Sequence, residues 1–306
     1  MLGKIRVFAP GSVGNVGPGL DVLGLAVAGL GDTVTAEATE RPGVVITQPG
    51  HPTLPADPTR HTSGIAAAQV LSRAGARFGV SLSIDKGLPL AGGQGGSAAS
   101  AVGGAVAANL LLEHPLDRTA LLEAAIAAEA TVSGRHADNV APILLGGLVL
   151  IRSMDPFDLV SPPVPDGMWI VLAHPNLALP TRVGRSVLPG QVPRDDALHQ
   201  AAQVAAMVAA CYTGDLALFG RAIDDRIAEP ARAHLLPGFL EAKRAALGAG
   251  ALGCSISGSG PTAFAVVDSS EAGARVAQAM TDAYRRAGIE STARVAKPDL
   301  TGARKL

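Results

Sequence analysis

Near the start of the chain, Ile5-Arg6-Val7-Phe8-Ala9 alternates in the manner of a half-buried strand. Pro10-Gly11 ends that run, and a loop rich in Gly, Asn and Pro follows, from Ser12 to Asp21. Residues 33–38 and 44–47 read as two further strands, separated by the turn Glu40-Arg41-Pro42-Gly43. A polar, Pro-rich stretch at 48–61 leads to an Ala-rich helix over 62–73, and residues 80–84 alternate as a strand. Next comes Leu90-Ala91-Gly92-Gly93-Gln94-Gly95-Gly96-Ser97, a glycine loop that feeds a helix of small residues over 98–112. A helix over 118–131 carries Glu123 and Glu129, and 148–151 is a short apolar strand.

Asp155-Pro156, Pro162-Pro163 and Pro165 then break the pattern, so the predicted domains are 1–155 and 156–306. In the second half, 169–173, 254–257, 262–267 and 292–295 read as strands. Residues 195–212, 216–227, 238–247 and 270–287 read as helices. A second glycine loop, Ser257-Gly258-Ser259-Gly260-Pro261, joins two of the strands. The elements lack a regular βαβ beat, which favours α+β over a doubly wound sheet.

Composition narrows the function classes. The 306 residues are 48% hydrophobic and 17% charged, enough apolar material for a packed core, and only 3% aromatic. The net charge of −1 leaves no basic excess to neutralise a nucleic-acid backbone. Two cysteines, Cys211 and Cys254, form no disulfide framework, which fits a reducing cytoplasm. Mean hydropathy is +0.31, yet the apolar run at 98–112 is too short to span a bilayer and Glu113 stops it. The first residues lack an apolar signal-peptide core. The expectation is a soluble cytoplasmic protein with neither nucleic-acid nor membrane partner.

The glycine loop carries the strongest local chemistry. Four glycines let the backbone approach a ligand without Cβ obstruction. Ser97 reads as the N-cap of the following helix, whose first N–H groups and dipole favour an anion. A di- or triphosphate suits such a cradle, with the Ser97 hydroxyl available to Mg²⁺; a tight turn before a helix is the plainer alternative. Walker A fails, because no Lys lies within 92–109. Gly93–Ala98 matches GxGxxA, but Glu113 follows with no second strand between, so a nicotinamide site fits poorly. Gly103-Gly104 inside the helix reads as a place of close packing.

Three other groups stand out. Asn15 and Asp21 suit a small polar substrate with an ammonium or hydroxyl, or else serve a left-handed turn and the cap of a helix-like run at 22–25. The polar patch from Ser133 to Pro142, with His136, Asp138 and Asn139, reads as a cleft lining. Thr181, Arg182, Arg185, Arg226 and Arg232 supply donors of the kind that bind carboxylates.

Together these segments resemble the GHMP small-molecule kinases. Residues 9–24 resemble the family's opening motif, 89–100 its phosphate loop PxxxGLGSSAAS and 253–264 its third, glycine-rich motif. Residues 136–142, 181–189 and 228–232 resemble segments of the branch that acts on homoserine. The chain departs from the usual loop at Gln94, in place of an apolar residue, and at Gly96, in place of a serine.

The resemblance implies an α+β, two-domain fold: an N-terminal domain like domain 2 of ribosomal protein S5 and a ferredoxin-like C-terminal domain. It implies ATP and Mg²⁺ as cofactors and L-homoserine as the small-molecule partner, in a step towards threonine. Pro89, Gly92, Gly93, Gln94, Gly95, Gly96, Ser97 and Ala98 would wrap the ATP phosphates. Ser97 and Glu129 would be the Mg²⁺ ligands. Asn15, Asp21, His136, Asn139, Thr181, Arg185, Arg232 and Gly260 would surround the substrate, with Asn139, Arg185 and Thr181 nearest the chemistry. Relatives that use an aspartate base have Asn139 at that place here, so transfer is expected without a side-chain general base. Other GHMP kinases, acting on mevalonate or a methylerythritol intermediate, and a non-catalytic binder of the same fold are the alternatives. A homodimer is compatible with the sequence.

Overall fold

The computed structural model describes residues 3–306 and has the expected α+β architecture. Its first half runs β1 (Lys4–Gly14), β2 (Leu23–Thr39), β3 (Gly43–Gln48), α1 (Thr62–Arg73), β4 (Gly79–Asp85), α2 (Gly96–Asn109), α3 (Arg118–Glu129), α4 (Val140–Leu145), β5 (Leu148–Met154) and β6 (Phe157–Val160). The second half runs β7 (Trp169–Pro175), α5 (Thr181–Ser186), α6 (Arg194–Thr213), α7 (Leu216–Arg221), α8 (Ala228–Ala233), α9 (Phe239–Gly248), β8 (Gly253–Ile256), β9 (Ala263–Val267), α10 (Ser270–Arg286), β10 (Ser291–Ala296) and β11 (Arg304–Lys305).

Two sheets organise these elements. The larger has the order β11-β1-β2-β4-β3, with β5 pairing β2 and β6 extending from β5. The parallel pair β3–β4 is the one that needs a crossover, and α1 supplies it. The smaller sheet, β10-β7-β9-β8, is antiparallel throughout. β6 and β11 both lie beyond residue 155 in sequence, yet they pair in the larger sheet.

Three apolar cores follow. The first lies between the large sheet and α1–α3, with Val34, Leu82, Ile84, Val102 and Ile126 buried. The third packs α9 and α10 on the small sheet around Phe239, Val276 and Tyr284. Between them, Val13, Leu23 and Leu25 of the first half meet Ile170, Met207, Phe219 and Phe264 of the second. This middle core joins the halves. The Gly103-Gly104 pair does serve close packing: a Cβ on Gly103 would come within 2.6 Å of Val34, and one on Gly104 within 2.4 Å of the Ser63 carbonyl.

Four local readings change. Strand β1 does not stop at Pro10 but continues to Gly14, with its register shifted between Pro10 and Gly11, where proline cannot donate to the ladder. The run after Asp21 is strand rather than helix, so Asp21 caps nothing. The helix expected over 216–227 stops at Arg221, and a short helix that was not expected, α8, begins just beyond that span, where the Asp225 carboxylate accepts from the N–H groups of Ile227, Ala228 and Glu229. Lastly, Gly95 and not Ser97 is the N-cap of α2; its φ of 72° makes the turn that a side chain would strain.

Candidate functional site

A cleft of about 290 Å³ lies where the two halves meet. Its walls include Asn15, Pro89, Gly92, Gly93, Gly95, Gly96, Ser97, Glu129, His136, Asn139, Thr181, Arg185 and Arg232, brought from both halves of the chain. Asp21 is not itself on the wall but bonds two residues that are. Gln94 and Ala98 are turned away, and Gly260 packs behind the loop, its carbonyl against Gly93.

The glycine loop has one ordered feature that explains its composition. Every carbonyl from Ala91 to Ser97 is turned into the protein. Ala91 accepts from the Leu179 N–H, Gly92 from the Thr262 hydroxyl and Gly93 from the Ser257 hydroxyl. Gln94 accepts from the Ser12 N–H and Gly95 from the Ala99 N–H, Gly96 from Lys86 Nζ, and Ser97 from the Thr62 hydroxyl. Among the described residues, no acceptor in the chain takes the N–H of any residue from Gly92 to Ala98. The backbone thus offers a row of free donors at the N-terminus of α2, a built anion cradle.

Freed from capping, the Ser97 hydroxyl bonds Glu129 Oε2 at 3.1 Å, and Ser133 bonds the same oxygen at 2.9 Å. Glu129 Oε1 is buried with no partner. Burial raises the Glu129 pKa, against the pull of the two serine hydroxyls. An under-partnered carboxylate beside a hydroxyl, both hard oxygen donors, fits a cation such as Mg²⁺ that takes few protein ligands. Among the described residues no group of three or more His, Cys, Asp or Glu could hold a metal on its own.

The opposite wall is charged. Arg185 binds Asp21 through two bonds, Nη1 to Oδ2 at 3.1 Å and Nη2 to Oδ1 at 2.6 Å. His136 Nδ1 lies 3.4 Å from the same carboxylate. Burial works to raise the Asp21 pKa, but the Arg185 bonds and charge overcome it and hold the group below its usual range. Arg232 is only 2% exposed and is pinned by the carbonyls of Gly184 and Gly258, each 2.9 Å away. Asn15 is held in place by the fold: its amide donates to Gly258 and its oxygen accepts from the Asp21 N–H, which leaves its second amide hydrogen uncommitted.

Asn139 accepts from Ser12 Oγ at 2.8 Å and leans on Asp138 at 3.4 Å. Asp138 is 3% exposed, and burial together with the Asp21 charge pushes its pKa up to about 7. Its folded pKa lies above the ordinary 3.8, so the folded state holds a proton that the unfolded chain has lost. The Asp138 contribution to stability therefore falls as pH rises from about 4 to about 7. Asp138→Asn should flatten that slope and raise stability at pH 8 by at most about 4 kcal/mol, at about 1.36 per pKa unit. Chemical denaturation of both proteins between pH 5 and 8 checks it; parallel curves would count against the shift.

Several wall residues escaped the sequence reading: Arg60, His61, Lys86 and Ser100. Ser100 ends the phosphate-loop motif without an assigned role; Arg60, His61 and Lys86 lie outside the motifs, and the topology alone brings the start of α1 and the end of β4 beside the loop. Both cysteines are buried, and burial pushes the thiols of Cys211 and Cys254 up to about 11 and about 12, so neither is a nucleophile. No helix among the described residues is long and apolar enough to cross a membrane.

Comparison with known proteins agrees with this geometry. The family model for the GHMP kinases N terminal domain matches residues 62–147, and that for the GHMP kinases C terminal matches 207–286. A homoserine kinase of Arabidopsis thaliana is 44% identical over 98% of this chain and 84% of its own length. The crystal structure of homoserine kinase from Cytophaga hutchinsonii superposes with a TM-score of 0.95 at 41% identity, covering 99% and 97% of the two chains. A mevalonate kinase of L. major shares the fold alone, with a TM-score of 0.71 at 18% identity over 97% of each chain. The chain therefore belongs to the GHMP kinases.

Proposed function

We propose that the chain transfers the γ-phosphoryl group of Mg-ATP to the side-chain hydroxyl of L-homoserine. One observation carries the reading: two charge-selective walls face each other across one cleft. The free N–H row with Ser97 and Glu129 suits a polyphosphate and its cation. Asp21 with Arg185 and Arg232 suits a zwitterion, the carboxylate for its ammonium and the guanidinium groups for its carboxylate. Relatives at 41% and 44% identity that bear the name homoserine kinase support that acceptor.

The residues then have distinct tasks. The N–H groups from Gly92 to Ala98 hold phosphate oxygens and receive the charge that spreads over them during transfer. Ser97 and Glu129 would hold Mg²⁺, which when bound neutralises charge on the transferred group. Without substrate, Asp21 and Arg185 satisfy each other. A zwitterion gives each its own partner, so entry exchanges one ion pair for two. Asn139, fixed by Ser12 and Asp138, positions the acceptor hydroxyl; an amide cannot take its proton, so transfer proceeds without a side-chain base. Thr181, the first residue of α5, the helix that carries Arg185 in its last turn, closes the acceptor end. We place the enzyme in the cytoplasm, where two free thiols are at home.

One observation favours a second reading of the proton's path: Asp138 lines the cleft with a pKa of about 7, which suits a general base. Asp138→Asn separates the two. Retained turnover supports transfer without a base; collapse of kcat in a folded variant assigns the proton to Asp138.

ADP release from Mg-ATP, measured side by side with L-homoserine, L-threonine, L-serine and mevalonate, tests the whole proposal. Turnover with homoserine alone is expected. Turnover with mevalonate would overturn the acceptor assignment, and silence from a folded, ATP-binding protein would leave a non-catalytic binder. For Arg232→Ala, losing a charged hydrogen bond of ~1.5–3 kcal/mol should raise the homoserine KM by roughly 10- to 100-fold. The ATP KM should stay within about threefold, since Arg232 bonds the Gly184 and Gly258 carbonyls and no residue of the 92–98 loop.

A further inference from the structure

Gln94 is the loop's departure from the usual apolar residue, and it is 4% exposed, aimed away from the cleft. Its two ends meet different elements of the second half. Arg294 Nη2, from β10, donates to Gln94 Oε1 at 3.2 Å. Gln94 Nε2 donates to the Thr262 hydroxyl at 3.2 Å. Thr262 in turn donates to the Gly92 carbonyl at 2.5 Å.

The order of donors is forced. A guanidinium cannot accept, so it must face the amide oxygen, and the amide nitrogen must then face Thr262. Thr262 Oγ1 receives that bond, so its single proton is left for the Gly92 carbonyl. His174 Nδ1 lies 3.0 Å from Thr262 Oγ1 and donates to it as the Nδ1–H tautomer. The chain Arg294 to Gln94 to Thr262 to Gly92 runs one way only, from a buried cation of the second half to a backbone carbonyl of the loop. Arg294 also donates to Ala28 of β2 at 2.9 Å, and its Nε has no partner. Burial alone lowers its pKa, to about 10. Leucine at 94 would leave Arg294 Nη2 without its acceptor in a buried site and take one donor from the Thr262 hydroxyl.

We infer that Gln94 is a positioning residue for nucleotide: through Thr262 it fixes the Gly92 carbonyl backwards, and so keeps the loop's free N–H groups aimed into the cleft. This rests on the reading of the loop as a phosphate cradle and deepens it. It assigns the loop's geometry in part to the second half of the chain, so the pose of the two halves and the affinity for phosphate are coupled.

The test compares Gln94→Leu, Thr262→Val, Thr262→Ser and the Gln94→Leu/Thr262→Val pair. Mg-ATP affinity is read without acceptor, by calorimetry with a non-hydrolysable ATP analogue, and kinetics are read with homoserine. Losing the relay should weaken nucleotide binding roughly tenfold in Gln94→Leu and in Thr262→Val, about what one or two buried hydrogen bonds contribute. Thr262→Ser keeps the hydroxyl and should bind like the unmodified chain. The double variant should be no weaker than either single one, because each breaks the same relay. The homoserine KM should stay within about threefold, a split that general loosening of the fold would not produce.

Additive losses, equal losses in homoserine KM, or a Gln94→Leu variant with unchanged affinity would overturn the inference. Failure of the substrate assignment would look different: no turnover in the unmodified chain, with the binding series still intact.

Discussion

Glu129→Gln is expected to lower kcat by roughly 100- to 1,000-fold, the scale of losing one preorganised stabiliser of transition-state charge. Burial strips Glu129 of water, while Ser97 and Ser133 engage only Oε2. Oε1 is left buried and unpartnered. A carboxylate kept this short of donors is stabilised by a cation and by little else in the cleft. Glutamine has nearly the same shape and accepts the same serine bonds, so packing survives and the missing charge is what the variant reports. The N–H row does not depend on Glu129, so nucleotide should still bind. The loss should therefore appear in kcat and in the Mg²⁺ concentration needed for half-maximal rate, with circular dichroism unchanged. A variant that keeps kcat within threefold at limiting Mg²⁺ would remove Glu129 from the cation site.

How much of this was legible beforehand depends on whether the signal was local. The α+β class and both glycine loops could be read from turn residues and alternation, because backbone constraints act within a few residues. The length of β1 could not: Pro10-Gly11 carries a strong stop signal, and only pairing with β2 carries the strand across it. Ser97 looked like a cap because serine next to a helix usually is one; the left-handed Gly95 takes that place and releases the hydroxyl to Glu129, a residue 32 positions away. The acceptor wall was named residue by residue from the resemblance. That Asp21 and Arg185 hold each other, 164 positions apart, is tertiary information with no local trace. Gln94 was visible as a departure, but its partners lie in the other half of the chain, Thr262 just before β9 and Arg294 in β10.

Lys86 is the clearest case of a residue the sequence left silent, and replacing it should carry the largest cost in stability. Its side chain is 6% exposed and pairs with Asp32, whose side chain is fully buried. Lys86 Nζ also donates to the Gly96 carbonyl at 2.7 Å and to Ser100 Oγ at 3.0 Å, and Ser100 bonds Asp32 at 2.7 Å. The ammonium thus ties the end of β4 to the start of α2, with Asp32 of β2 beneath it. Lys86→Met keeps the volume but leaves a buried carboxylate whose remaining donors are the Ser100 hydroxyl and, at 3.3 Å, the Gly87 N–H. Removing one partner of a buried pair costs about 3–5 kcal/mol, because the other charge stays in a site that water does not reach. Denaturant unfolding at neutral pH should show that loss. Lys86→Met combined with Asp32→Asn should recover part of it, since the stranded charge is gone. The Gly96 carbonyl stays released in both variants, so a weakened ATP KM should persist in the double variant even as stability returns. A Lys86→Met protein within about 1 kcal/mol of the unmodified chain would mean that the pair does not hold these three elements together.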